Sequence, residues 1–170
     1  MSLLKTLKAT LSVVVITAAL MGEVNAEVKK PYRKHENSEM KIALTFDDGP
    51  HKCYTPEILD ILDEYGVKAT FFVIGSNCED NLAIVQRSGH EIGNHTYSHP
   101  HLTKIKAERL FSELIKTENI LFELGEYRPK LFRPPEGIYS LTVSKTLERL
   151  DYIPILWTVD TTDWKLPSAE

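Results

Sequence analysis

The fold of this chain is decided by residues 40–74, MKIALTFDDGPHKCYTPEILDILDEYGVKATFFVI. The apolar run 40–46 ends in Asp-Asp-Gly-Pro, which is typical of a strand that opens into a turn. Apolar residues then recur at helical spacing, with Thr55 as the expected N-cap and Gly66 as the expected C-cap of a helix. The run 69–74 has the composition of a strand that is buried on both faces. The stretch therefore predicts a strand, a helix and a second strand.

The same alternation continues along the rest of the chain. Further helices are predicted at 82–87, at about 104–124 and at 141–150, and further strands at 91–94, 131–132 and 152–159. Alternating strands and helices predict an α/β fold in which parallel strands are joined by right-handed crossovers. Open sheets and barrels share this pattern, so it does not distinguish between them.

The first 26 residues have the features of a secretory signal peptide. Lys5 and Lys8 precede the apolar run 9–21, and Val24-Asn25-Ala26 provides a cleavage site after Ala26. An uncleaved anchor is the alternative, but this run is shorter than the ~20 residues that a helix needs to cross a bilayer. We therefore expect a secreted or cell-envelope protein, in the periplasm or cell wall, with no stable membrane span.

Residues 27–39 are polar and charged without an apolar period, and they predict a solvated linker. The alternative is a basic segment that favours an anionic wall or membrane surface. Residues 40–170 then form one domain. The formal net charge of −4 at pH 7 provides no basic face for nucleic acid. Nothing in the sequence specifies an oligomeric state.

Polar residues with catalytic potential follow the ends of predicted strands. They are Asp47 and Asp48, Asn94 and His95, Arg133, and the segment 160–164. Because ligands bind at the carboxyl ends of the strands in α/β folds, we expect these side chains to gather at one edge of the sheet. Cys53 and Cys78 follow the first two strands in the same way. In an oxidising compartment this placement predicts a Cys53–Cys78 disulfide.

His95 and His99 are four residues apart, a spacing that places two imidazoles on one face of a helical turn. Together with a carboxylate, they suit zinc, cobalt, nickel or iron better than calcium or magnesium. Two histidines and one carboxylate also leave coordination positions open, as a catalytic site requires. The alternatives are a pair of surface or helix-capping histidines and, for Asp47-Asp48-Gly49, an ordinary turn.

Two further loops carry residues with catalytic potential. In Arg133-Pro-Pro-Glu-Gly137, the two prolines stiffen a backbone whose N–H groups could bind an oxyanion. Arg133 could also keep a carboxylate ionised. Asp160-Thr-Thr-Asp-Trp164 offers two carboxylates and an indole that could pack on a sugar ring. A Pro-rich connection and a Trp at the edge of the core are the alternatives.

Four ordered motifs, T-F-D-D-G at 45–49, H-T-x-S-H at 95–99, R-P-P-x-G at 133–137 and D-x-x-D-W at 160–164, carry a family resemblance. Together they resemble the NodB-homology polysaccharide deacetylases, carbohydrate esterase family 4. The resemblance runs from about Met40 to Pro167. It implies a distorted (β/α) barrel.

The resemblance also implies a role for individual residues. Asp47 matches the general base and Arg133 the residue that steadies it. Asp163 matches an aspartate that tunes a catalytic histidine. The implied metal ligands are Asp48, His95 and His99, with zinc as the first expectation. The backbone N–H of Glu136 matches an oxyanion donor, and Pro135, Glu136 and Trp164 are the implied substrate contacts.

Two departures from the family pattern are visible. Glu136 stands where the family usually has tyrosine, and the fifth motif, Leu-x-His, which carries the family's general acid, does not occur in these 170 residues. We therefore expect a barrel that is incomplete at its C-terminal end.

The expected function is metal-dependent removal of N-acetyl groups from an extracellular amino-sugar polysaccharide, either peptidoglycan or a chitin-like glycan. The alternatives are an O-acetyl xylan esterase, a catalytically impaired glycan-binding domain, and a fragment of a longer deacetylase.

Overall fold

The computed structural model describes residues 29–34, 41–78 and 89–165. The strands are β1 (Thr45–Asp47), β2 (Thr70–Val73), β3 (Glu91–Asn94), β4 (Leu131–Phe132) and β5 (Ile153–Pro154). The helices are α1 (Tyr54–Glu64), α2 (Ala107–Gly125) and α3 (Leu141–Arg149). The predicted signal peptide and the predicted helix at 82–87 lie outside the described residues.

The five strands form one parallel sheet whose spatial order, β1-β2-β3-β4-β5, equals their order in the sequence. In a doubly wound sheet the strand order would reverse at a switch point. In a (β/α) barrel, by contrast, each parallel strand lies next to the strand that follows it in the sequence. The predicted α/β class with a parallel sheet is confirmed.

Two strands are shorter than their apolar runs predict. The run 40–46 contributes only Thr45 and Phe46 to β1, because this strand lies at the edge of the sheet and Ile42 before it is exposed. The run 152–159 contributes only Ile153 and Pro154 to β5. Apolar composition thus indicates where a strand lies but not how far its hydrogen bonds or its burial extend.

The first helix shows why a capping prediction can miss by one residue. Thr55 was the expected N-cap, but α1 begins at Tyr54 and its N-cap is Cys53. The prediction is wrong because the ring nitrogen Nδ1 of His51 accepts the first N–H groups, those of Cys53 and Tyr54. The Thr55 hydroxyl instead accepts a hydrogen bond from the His51 N–H.

The expected C-cap, Gly66, lies one residue beyond the observed one, since the C-cap of α1 is Tyr65. Glu64 is the last helical residue, and Gly66 has φ 63°, a left-handed conformation that glycine adopts at little cost. The N–H groups of Gly66 and Val67 donate to the carbonyls of Asp63 and Leu62, which satisfies the last turn of the helix.

The helices pack on the sheet through two clusters of buried apolar residues. The first joins α1 to β2 and β3 and includes Leu59, Leu62, Phe71, Val73, Ile92 and Leu121. The second joins α2 and α3 to β4 and includes Leu110, Leu114, Phe132, Val143, Leu147 and Tyr152. Successive residues of a strand point to opposite faces, so Phe72, between Phe71 and Val73, lies on the other face of β2.

That second face of the sheet is also tightly packed. Phe72 is fully buried, and the Arg133 guanidinium lies 4.2 Å above its ring. A Cβ atom at position 93 would collide with the Phe72 ring, so Gly93 is required there. This packing fixes the position of Arg133, which directly follows β4.

Part of the segment predicted as a linker lies against the sheet. The Tyr32 N–H donates to Pro154 O at 2.8 Å, and the Leu156 N–H donates to Tyr32 O at 2.7 Å, so residue 32 forms a parallel bridge beside β5. The Tyr139 hydroxyl donates to Lys29 O at 2.7 Å. Residues 29–34 therefore cover the edge of β5. In the parts of the chain that the structure describes, no helix is long and apolar enough to cross a membrane.

Candidate active site

The polar residues that follow the strands meet at the carboxyl edge of the sheet. Asp47 is the last residue of β1 and Asp48 follows it, His95 follows β3, and Arg133 follows β4. The backbone of Asp48, which has φ 67°, is held by a hydrogen bond of 3.0 Å from the Asn77 side chain to its carbonyl. These polar side chains therefore lie at the carboxyl edge of the parallel sheet, where their positions after the strands predict them.

Asp48, His95 and His99 form a compact group of three. Oδ1 of Asp48 lies 3.4 Å from Nε2 of His95 and 3.4 Å from Nε2 of His99. One ligand atom from each residue lies within 4.8 Å of the other two, so the three could hold one metal ion. The sequence predicts this group of three residues, but the prediction placed His95 and His99 on a helical turn. The structure forms it from a loop in which Thr96 has φ 71° and His99 has φ 50°.

The hydrogen bond on the far side of the His95 ring fits a metal ligand. Nδ1 of this buried ring lies 2.7 Å from the carbonyl oxygen of Arg133. A carbonyl can only accept, so Nδ1 carries a proton and Nε2 is the ring nitrogen that faces Asp48. Metal-ligating histidines usually have such a partner on their other nitrogen, which fixes the tautomer.

The protonation of Asp48 suits the same role. A hydrogen bond with His95 lowers the pKa of the Asp48 carboxyl, partial burial raises it, and the charges of His95 and His99 lower it further. The net effect places this pKa below its ordinary value, so the carboxylate is ionised at neutral pH and free to act as a ligand.

Asp47 is paired with a buried arginine. The Nη1 of Arg133 donates to Oδ1 of Asp47 at 2.8 Å and to the Thr45 hydroxyl at 2.8 Å. Arg133 is only 3% exposed, and it lies over the rings of Phe72 and Trp157. A buried guanidinium in a fixed position therefore orients the Asp47 carboxylate, whose side chain stays 30% exposed.

The Pro-Pro loop lies beside the histidine loop. Glu136 has φ 56° within the turn Pro135–Gly137, and its Oε2 lies 3.6 Å from Nε2 of His101. The ring of Trp157 packs directly under Gly137. His101, which belongs to none of the predicted motifs, thus joins the segment after the two histidines to the loop of Glu136.

The last predicted motif is more open. Trp164 is 69% exposed, and its ring is contacted by Lys165 at 4.6 Å. Asp163 accepts a hydrogen bond of 2.6 Å from the Thr161 hydroxyl. Both partners belong to the same short segment. In the described part of the chain, the structure does not bring Asp163 or Trp164 into contact with the Asp48 group.

The predicted Cys53–Cys78 disulfide is not formed in the structure, where both thiols are free. Cys53 is exposed at the N-cap of α1, whereas Cys78 is buried with its Sγ 3.4 Å from Ile74 O. Burial raises the pKa of the Cys78 thiol to about 12. The two cysteines follow neighbouring strands as expected, but the Cys78 side chain lies in the core.

Comparison with known proteins agrees with this geometry. The model of one family, polysaccharide deacetylase, matches residues 34–155. The chain belongs to the polysaccharide deacetylase family. A peptidoglycan-N-acetylglucosamine deacetylase of Bacillus cereus is 47% identical over 143 residues, which cover 82% of this chain and 50% of that protein. The chain thus spans half the length of that relative.

Solved structures of this deacetylase family share the fold. The crystal structure of a peptidoglycan N-acetylglucosamine deacetylase has a TM-score of 0.71 and 48% identity, and the match covers 74% of this chain and 60% of that one. A family 4 carbohydrate esterase from Streptomyces lividans has a TM-score of 0.71 and 34% identity, with 75% and 67% of the two chains covered. The parallel sheet described above is the sheet of these barrels.

Two buried polar residues contact the loop of the two histidines: Asn94 was expected at this edge of the sheet, whereas the sequence patterns predicted no role for Glu113. Asn94 is fully buried, and its side chain accepts from the Thr96 N–H and donates to Leu114 O. Glu113 is 3% exposed and contacts the residues between the two histidines. The sequence did contain a sign of this buried role, because Glu113 is a charged residue directly before Leu114 and lies on the buried face of α2.

Proposed function

We propose that this protein is a hydrolase that removes N-acetyl groups from an amino-sugar polysaccharide of the cell wall, with peptidoglycan as the substrate. The observation that carries this proposal is the convergence of Asp48, His95 and His99 next to the Asp47–Arg133 pair. The Bacillus cereus relative, named for N-acetylglucosamine residues of peptidoglycan, supports the choice of substrate. The signal-peptide pattern supports action outside the cytoplasm, in the envelope or beyond.

The donor set favours a divalent metal of the zinc type. Two imidazole nitrogens and one carboxylate suit zinc, with cobalt, nickel and iron as the alternatives. Three protein ligands leave room for water and substrate. When bound, such an ion would polarise the acetyl carbonyl and lower the pKa of a water molecule. Asp48, His95 and His99 are the residues that would hold it.

Asp47 is the proposed general base. Its carboxylate adjoins Asp48 and is held by Arg133 at 2.8 Å, so one oxygen is anchored and the other is free to take a proton from the attacking water. Because Arg133 is itself fixed by packing and by hydrogen bonds to Thr45 and to backbone carbonyls, the base keeps one orientation.

The remaining roles belong to the loops. As the acetamide carbon becomes tetrahedral, negative charge develops on its oxygen, and the backbone N–H of Glu136 is the proposed donor to it. Pro135 and Trp164 are proposed to contact the sugar, and Asp163 is proposed to tune a catalytic histidine. The C–N bond then breaks as the nitrogen gains one proton, which balances the proton that Asp47 removed from water, and the products are acetate and a free amine on the sugar.

The test is release of acetate from N-acetylglucosamine oligomers and from purified peptidoglycan by the zinc-loaded protein, with acetylxylan as the comparison substrate. We expect acetate from the amino-sugar polymers and none from acetylxylan. Asp47→Asn should retain the metal and lose activity by about 100-fold or more. Acetate from acetylxylan alone would identify an O-acetyl esterase. Glycan binding without metal-stimulated release would identify a binding domain.

A further inference from the structure

The loop that carries the two histidines has a strained backbone. We call residues 95–99 the ligand loop. Within it, Thr96 has φ 71° and His99 has φ 50°, both in the left-handed region that residues with a Cβ rarely adopt. Such conformations persist only where the surrounding structure holds them in place. Other groups must therefore keep His99 next to His95.

One of these groups is a buried carboxylate on α2. The Oε2 of Glu113 accepts hydrogen bonds from the N–H groups of Tyr97, at 3.0 Å, and Ser98, at 2.8 Å. Its Oε1 accepts a further bond of 2.9 Å from the Ser98 hydroxyl. Glu113 thus contacts the two residues next to His99 in the ligand loop by three hydrogen bonds.

The remaining partner of Glu113 is a cation on the same helix. Nε and Nη2 of Arg109, one turn earlier, lie 2.8 Å and 2.7 Å from Oε1. A buried charge is costly unless it is paired and hydrogen-bonded. Here one oxygen faces only the backbone of the ligand loop, and the other is shared between that loop and Arg109. Both oxygens of the Glu113 carboxylate therefore hold the ligand loop by hydrogen bonds.

We propose that Glu113 is a positioning residue of the metal site, which acts through Tyr97 and Ser98 to hold His95 and His99 at the spacing that binds one ion. This inference rests on the metal site of the proposed function. A loop that is already ordered loses less conformational freedom when the metal binds, so its support raises the affinity for the metal. Groups that orient metal ligands in this way typically change metal affinity by about 10- to 100-fold.

Glu113→Gln is the sharpest variant because it keeps the size of the side chain. Five donor atoms converge on the two oxygens of Glu113. An amide has a single acceptor oxygen, so its NH2 group must face either the loop N–H groups or the Arg109 and Ser98 donors. The loop then loses part of its support, while the fold loses no apolar contact.

Glu118→Gln is the matched control. Glu118 lies on the same helix, and its carboxylate is paired with Arg128 at 2.8 Å. Its Oε2 accepts a hydrogen bond of 3.4 Å from the Tyr152 hydroxyl, and neither Arg128 nor Tyr152 belongs to the ligand loop. A general weakening of α2 would affect both variants, whereas a loss of loop support would affect only Glu113→Gln.

The experiment is titration of the metal-free protein with Co²⁺, followed by visible absorption, at a temperature where circular dichroism shows each variant to be folded. We expect Glu113→Gln to lower the affinity for Co²⁺ by about 10- to 100-fold and to change the cobalt spectrum. Glu118→Gln should stay within about twofold of the unmodified protein. If Glu113→Gln does not fold, Ser98→Ala replaces it, with an expected loss of several-fold because it removes one of the three loop bonds.

Equal affinity of the Glu113→Gln protein, or of Ser98→Ala in its place, and the unmodified protein would overturn the positioning role and leave the proposed function intact. An equal loss in Glu118→Gln would overturn it as well, since the effect would then belong to the whole helix. If the unmodified protein itself bound no Co²⁺, the metal site of the proposed function would fail, and the positioning role with it.

Discussion

At the scale of single residues, the proton on His95 determines how the three side chains of the site can act together. Its Nδ1 donates to Arg133 O at 2.7 Å, and this bond orients the ring so that Nε2 faces Asp48. His95→Ala removes both this ligand atom and the link to the strand that carries Arg133. We expect the variant to lose its bound metal, as measured by metal content after extensive dialysis.

His101→Ala is the control for that measurement. His101 lies in the same region of the chain, but its Nε2 faces Glu136 at 3.6 Å rather than Asp48. The histidine-to-alanine change is identical, and we expect the metal to be retained. Loss of the metal from both variants would show that any disturbance of this region empties the site, and the assignment of His95 as a ligand would lose its support.

The two cysteines provide a second test at this scale. Burial raises the pKa of Cys78 to about 12, whereas Cys53 is exposed. Because the thiolate is the reactive form, Ellman's reagent should modify Cys53 in the folded protein and Cys78 only after unfolding. Cys53→Ser should abolish the reaction of the folded protein. Two unreactive cysteines in the unfolded, unreduced protein would instead demonstrate the disulfide that the sequence predicts.

At the scale of elements, the contact between α2 and the ligand loop depends on charge. Burial raises the pKa of Glu113, but the hydrogen bonds from Arg109 and Ser98 and the charge of Arg109 lower it by more, so the pKa lies below its ordinary value. A lowered folded-state pKa means that ionisation favours the folded protein. The contribution is complete above the unfolded-state pKa of about 4.3 and is lost as the pH falls through the folded-state pKa.

The prediction concerns the acid stability of the metal-free protein. Urea unfolding midpoints of the unmodified chain should fall as the pH decreases below about 4.3, and those of Glu113→Gln should fall less over the same range. At neutral pH the variant should be the less stable of the two, because the ionised carboxylate is then fully bonded in the parent. Parallel midpoint curves for the two proteins would contradict this link between α2 and the loop.

At the scale of the whole molecule, the position of the site was predictable and its inner structure was not. Asp47, Asp48, His95 and Arg133 each follow a strand, and parallel strands bring their carboxyl ends to one edge, so local pattern was sufficient to bring them together. The tautomer of His95 was not predictable, because it depends on a carbonyl 38 residues away in the sequence.

The other differences between the sequence-based predictions and the structure also depend on contacts that composition does not show. The left-handed conformations of Thr96 and His99 were not predictable from composition, since residues with a Cβ rarely adopt them. Thr55 was wrongly expected to cap α1 because the ring of His51 takes that role. Several side chains and carbonyls could form each of these hydrogen bonds, and composition alone does not predict which of them does.

The segment beside β5 also acts at the scale of the whole molecule. Tyr32 bonds to the edge of this strand through its own N–H and carbonyl, at 2.8 Å and 2.7 Å, although its side chain is 62% exposed. An uncovered strand edge presents unpaired N–H and carbonyl groups. The contribution of Tyr32 to stability should therefore come from its backbone and not from its ring.

Two substitutions at this position separate the backbone from the side chain. Tyr32→Pro removes the N–H that donates to Pro154 O, and we expect the free energy of unfolding to fall by about 1 kcal/mol. Tyr32→Ala keeps that N–H and removes only an exposed ring, so its free energy of unfolding should change by less than about 0.5 kcal/mol. Urea unfolding of both variants measures the difference. If Tyr32→Pro were as stable as Tyr32→Ala, the segment 29–34 would not protect the edge of β5 in solution, and the sheet would keep its stability without it.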